Sequence, residues 1–249
     1  MIDFYAALNI PDSCYLGKPI FKKVFYVHTK LNTADKKNFA NDIDVIEWRY
    51  TLKPSTINIP GYETKDYEYL EVAIIDVLLK DPLRHKKIAQ IIQRAIPYPT
   101  MIVFKHNSSI VLNLALKRIN QADQKKIMVE TVHDTPWISL DSPSDGEVDF
   151  FKSLDSNNFS FNHFYDWYAD LVQRVVALNC AQISGNYTMD ARKADVDRVE
   201  ELREIYRLEQ QENRLRSSLK KETQFNHKVD LSMQIKKIIE QIEKHKARI

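Results

Sequence analysis

The sequence predicts a mixed α/β (α+β) fold, a mixed β-sheet flanked by helices, with a C-terminal antiparallel helical hairpin. Three observations carry that reading. Leu70 to Leu79 is apolar except for Glu71 near its start and Asp76 within it, as expected of a strand buried on both faces. Two β-rich runs, Met101 to Phe104 and Ile110 to Leu116, flank His106-Asn107-Ser108 as a hairpin would. From Asp190 onward the chain lacks Gly, Pro and Trp and alternates charges of both signs, the composition of long exposed helices.

The elements follow in order. Asp3 caps a short helix ending near Asn9. Pro19 opens a second helix, Ile20 to His28, and Thr33 caps a third, Ala34 to about Val45. Glu47 to Leu52 and Thr56 to Ile59 read as extended, and Gly61 to Glu68 as a loop. After the Leu70–Leu79 strand, Asp81 and Pro82 mark a helix whose apolar stripe is Ile88, Ile91, Ile92, Ala95 and Ile96, stopped by Pro97 and Pro99. Beyond the hairpin, Ile127 to Val132 and Trp137 to Leu140 read as strands, and 141–149 as a linker. A closing helix spans 162–184, with Gly185 at its C-cap position. The α/β domain is thus placed at 1–185 and the hairpin tail at 186–249. In the tail, the register of Ile205, Leu208, Leu215 and Leu219 does not meet that of Leu231, Ile235, Ile238, Ile242, His245 and Ile249. A turn near Phe225-Asn226-His227 is therefore expected.

Composition excludes whole classes of function. The chain has 249 residues, a net charge of +2 and only 4 glycines. No two glycines lie close together, so phosphate-cradling loops and a nucleophile elbow are absent as motifs. The seven histidines show no zinc-ligand spacing, so no metal site is assigned. Two distant cysteines and no signal-peptide pattern lead to an expected cytoplasmic location without a membrane span.

Three candidate sites remain. The order of elements around Glu71 to Phe104 matches the core of PD-(D/E)xK nucleases, which place acids on adjacent strands and a lysine two residues past one of them. Glu71, Asp76 and Lys80 would be the catalytic set, with Mg²⁺ as cofactor. Leu78 occupies the lysine position, and Lys80 lies about 13 Å along the strand from Asp76, so such a site would be degraded. Arg84, Lys86, Lys87 and Arg94, with Lys117, Arg118, Lys125 and Lys126, form basic clusters able to meet nucleic-acid phosphates. The tail stripe of Leu231, Ile235, Ile238, Ile242 and Ile249 offers a surface for a partner or a second copy.

Several blocks in order carry a family resemblance. They are Phe4 to Pro11, Trp48 to Pro54 with Thr56 to Ile59, Glu71 to Lys80, Ile96 to Pro99, Lys117 to Asn120, Phe164-Tyr165 and Leu178-Asn179. Together they resemble the prokaryotic family called domain of unknown function 4391. Its genes typically lie beside DNA helicases and methyltransferases in mobile or defence-type loci. The leading expectation is a non-enzymatic accessory or scaffold subunit of a DNA-targeting, antiphage or restriction-modification-like complex, its α/β domain docking such a helicase or methyltransferase or contacting DNA. A diverged nuclease and a homo-oligomer assembled through the tail are the alternatives. No cofactor is expected except Mg²⁺ in the nuclease reading.

Overall fold

The computed structural model describes residues 1–29, 31–121, 127–189 and 194–249. Helix α1 (Phe4–Leu8) is capped by Asp3, whose carboxylate accepts from the Tyr5 and Ala6 amides. Strand β1 (Tyr15–Pro19) precedes α2 (Lys22–His28) and α3 (Thr33–Asp42). Pro19 therefore ends a strand and does not open a helix. Its missing N–H costs nothing there, because β1 lies at the edge of the sheet. Asn32, rather than Thr33, caps α3 by accepting from the Asp35 amide at 2.7 Å. Strand β2 (Ile43–Leu52) starts earlier than the expected Glu47, because Ile43 pairs with Leu79.

Residues expected to be extended after Pro54 form a one-turn helix, α4 (Pro54–Ile57), with proline in its first turn and the Thr56 hydroxyl accepting from the Lys53 amide. The expected loop holds a small hairpin, β3 (Tyr62–Glu63) and β4 (Glu68–Tyr69). Strand β5 (Val72–Leu79) is followed by α5 (His85–Ala95), which starts three residues beyond Pro82 because Asp81 closes a turn onto the Leu83 amide. Strands β6 (Thr100–His106) and β7 (Ser109–Ile119) turn through Asn107 at φ +51°, a conformation asparagine tolerates.

Strands β8 (Ile127–Asp134) and β9 (Ile138–Ser139) complete the sheet. The expected linker contains a helix, α6 (Asp145–Ser153), and the Ser144 amide at its start donates to Glu147 Oε2 at 2.7 Å. Then come α7 (Phe164–Ser184), α8 (Ala194–Lys221) and α9 (Phe225–Lys246). The turn between the last two falls at 222–224, just before the predicted position, where the Glu222 carboxylate accepts from the Thr223 and Gln224 amides.

The main sheet runs β1-β2-β5-β6-β7-β8, with β9 also on β7. Only β5 and β6 pair in parallel among these neighbours, joined by α5 as a crossover. Strand alternation decides what each face holds. Ile75, Val77 and Leu79 pack with Ile102, Phe104, Ile88 and Ile92 beneath α5. Ile74, Asp76 and Leu78 therefore face the opposite side. On that side α7 meets the sheet through Tyr168, whose hydroxyl donates to Thr100 O and accepts from the Ala115 amide.

The chain divides into two compact units, Met1–Val175 and Val176–Ile249, with the boundary inside α7. In the second unit, Ile205 and Leu208 of α8 pack with Ile238 and Ile242 of α9. No described helix is long and apolar enough to cross a membrane.

Candidate functional site

Asp76 is the one charged residue in the central strand β5, and burial leaves its side chain only 11% exposed. Burying a carboxylate is unfavourable unless charge and hydrogen bonds compensate it. Three elements supply the compensation. From α1, the Tyr5 hydroxyl donates to Oδ1. From β6, Lys105 Nζ donates to Oδ2 at 2.6 Å. From β2, Arg49 Nη1 lies 3.6 Å from Oδ2 and donates to Glu47 Oε1 at 3.2 Å. Glu47 sits directly across the antiparallel ladder from Asp76. One guanidinium nitrogen thus touches two carboxylates.

The aromatic rings hold this arrangement in place. The Arg49 guanidinium lies 4.3 Å from the Tyr5 ring centre, and Lys105 Nζ 4.8 Å from it. Tyr50 packs beside Tyr5 with ring centres 5.5 Å apart. Burial, and then the charge of Asp76, push the Tyr5 phenol far above its ordinary range, so it stays a donor. The cluster balances two carboxylates against two cations. Arg49 Nε alone has no partner among the described residues and is buried.

Of the nuclease set read from the sequence, only Asp76 belongs to this cluster. Glu71 pairs with Lys53 at 3.2 Å, and Lys80 with Asp44 at 3.3 Å. The lysine that stands beside Asp76 is Lys105, which pairs with Leu78 in the parallel register. That placement is invisible in sequence, because it depends on how β5 and β6 align. The alternating Glu47-x-Arg49 pair is a legible signal, since residues two apart on a strand share a face.

The basic clusters are reduced by the fold. Arg84 forms a two-point pair with the buried Asp42, at 2.5 and 2.6 Å. Lys87 lies 3.5 Å from Asp35, and Arg118 lies 3.9 Å from Glu130. Lys117 must be withdrawn as a nucleic-acid contact. It is 2% exposed, and its ammonium donates to Ile96 O and Tyr98 O at 2.7 and 2.6 Å, inside the turn that ends α5. Lys86 and Arg94 have no ion-pair partner among the described residues and line a groove of about 640 Å³ between α5 and β8. Lys125 and Lys126 lie outside the described residues.

The tail stripe is likewise used internally. Ile235, Ile238 and Ile242 are buried, and Ile249 packs against the α8–α9 cluster. Leu231 is half-buried at the start of the same stripe. These residues hold the hairpin closed and do not present a free surface. Among the described residues there is no group of three or more His, Cys, Asp or Glu side chains placed to hold a metal.

A family model described as "Domain of unknown function (DUF4391)" matches residues 8–242, so the chain belongs to that family. No curated protein and no solved structure matches the chain.

Proposed function

We propose that this DUF4391 member is a non-enzymatic accessory subunit of a DNA-targeting assembly, acting by docking a protein partner and not by chemistry of its own. The observation that carries this reading is the state of its carboxylates. Asp76 is committed to Tyr5, Lys105 and Arg49, Glu47 to Arg49, and Glu71 to Lys53. A metal-dependent hydrolase needs carboxylates open to a divalent ion and to the phosphate it holds. Here the chain's own cations take those positions. The defence-type setting comes from the family resemblance, and the groove edged by Lys86 and Arg94 leaves room for contact with DNA.

One observation favours a second reading. Glu47 and Asp76 converge on a single nitrogen of Arg49, with Lys105 beside them. Mg²⁺ commonly takes one or two carboxylates and completes its shell with water and phosphate oxygens. If an incoming phosphate drew Arg49 and Lys105 away, Glu47 and Asp76 would be the ligands of a phosphodiester-cleaving site. Lys105 would then neutralise charge on the phosphate. Glu71 and Lys80 have no part in it.

Incubating the purified chain with plasmid and Mg²⁺ or Mn²⁺ separates the two readings. The expected outcome is intact plasmid. Cleavage that disappears in Asp76→Ala and Glu47→Gln would replace the docking reading with the second one.

A further inference from the structure

Residues 18–40, through α2 and most of α3, concentrate positive charge that the chain total conceals, and Asp42 at the end of α3 is taken by Arg84. Residues 18 to 40 contain Lys18, Lys22, Lys23, Lys30, Lys36 and Lys37 against one acid, Asp35, in a chain of net charge +2. Asp35 is itself engaged by Lys87. Lys22 turns inward to the carbonyls of Ala40 and Ile43 at 2.8 and 2.6 Å, and Lys30 lies outside the described residues. Lys18, Lys23, Lys36 and Lys37 are exposed and have no ion-pair partner among the described residues.

Three apolar side chains of this segment also turn outward, Phe21 at the N-cap of α2 and Val24 and Val27 within the helix. Phe21 is 76% exposed, Val24 44% and Val27 82%. Val24 and Val27, three residues apart, share one side of the helix about 4.5 Å apart along its axis, and Phe21 caps the turn just before them. The other side is anchored by Phe25 and Tyr26, whose rings pack on Phe39 of α3 at 5.4 and 6.0 Å. The outward stripe is therefore not displaced core. It sits on a helix already held by its own hydrophobic contacts.

We propose that this face docks an acidic amphipathic helix of a protein partner, with apolar side chains on Phe21, Val24 and Val27 and flanking carboxylates on Lys18, Lys23, Lys36 and Lys37. This rests on the docking reading above and names the chemistry of the partner segment. Charge complementarity selects the occupant. A nucleic-acid backbone would satisfy the lysines but leave the apolar stripe in water. A membrane would need the apolar surface to continue, whereas Asn32, which caps α3, and Thr33 and Asn41 within it are exposed.

The test uses the full chain and a fluorescent peptide of about 15 residues, long enough for a marginal helix, with leucines at three- and four-residue spacing and glutamates elsewhere. Anisotropy should detect binding that falls at least about ten-fold when lysines replace the glutamates, and again in Val27→Glu. Phe21→Ser serves as a second variant; both side chains are exposed, so circular dichroism should be unchanged. Equal binding of the acidic and basic peptides overturns the proposal. So does preferential binding of duplex DNA or phosphatidylserine vesicles, or self-association through this face that Val27→Glu abolishes. Plasmid cleavage would count against the accessory reading alone, and loss of peptide discrimination without cleavage against this surface alone.

Discussion

At the scale of single residues, the fold treats two lysines of adjoining strands in opposite ways. Lys105 remains beside a carboxylate at the sheet face, while Lys117 is taken inside, where its ammonium meets only neutral oxygens among the described residues. Burial pushes the Lys117 ammonium from 10.5 down to about 7, against the three oxygens of Ile96, Tyr98 and Thr100 that favour its charged form. Between about pH 7 and about pH 10 the unfolded chain holds a proton on Lys117 that the folded chain has released, so stability rises with pH across that window. Lys117→Met should remove this rise and lower stability overall by about 1–3 kcal/mol, because the buried Ile96 carbonyl and the part-buried Tyr98 carbonyl lose their donor. Urea unfolding of both proteins at several pH values measures it. A difference between them that stays constant with pH would sink the assignment.

At the scale of elements, legibility divides along the range of the interactions. Helix ends governed by neighbours in sequence are readable: Asp3 caps α1 and Gly185 terminates α7. Gly185 has φ +80°, and a methyl group there would meet open space, so Gly185→Ala introduces only the left-handed backbone strain. A loss of about 1 kcal/mol in thermal or urea unfolding is expected, and a neutral result would remove the capping role. The Ser144-x-x-Glu147 signature of α6 is equally local, yet the Ser, Pro and Asp content around it reads as a linker and masks it. Distant pairings are not readable. Asp76 stands out as the polar residue of an apolar strand, but Tyr5 is 71 residues from it and Lys105 is 29 away. Pro19 reads as a helix opener for the same reason, since only the sheet order reveals that β1 is an edge strand. The basic face of α5 keeps Lys86 and Arg94 at the groove but loses Arg84 to Asp42, an acid 42 positions earlier that hydrophobic periodicity cannot place.

At the scale of the whole molecule, the tail bears on whether copies of the chain assemble. Its heptad-like stripe is already buried between α8 and α9, with Ile205, Leu208, Ile238 and Ile242 at its centre. Ile239 of α9, 37% exposed, lies about 100° round the helix from Ile238, and at that spacing Phe225, Val229 and Met233 lie on the far side. They are 78%, 41% and 56% exposed. A stable dimer buries roughly 800 Å² on each partner, with a well-packed apolar centre. Three side chains on one helix, separated by Asn226, His227, Lys228 and Asp230, fall short of that. Light scattering of the chain by itself should therefore return a mass near 29.2 kDa. A dimer that Met233→Asp dissociates would reverse this conclusion and make the outer side of α9 the assembling surface. The same substitution should leave the hairpin's helical signal intact, because Met233 is not in the buried seam; Ile238→Asp, by contrast, should melt it.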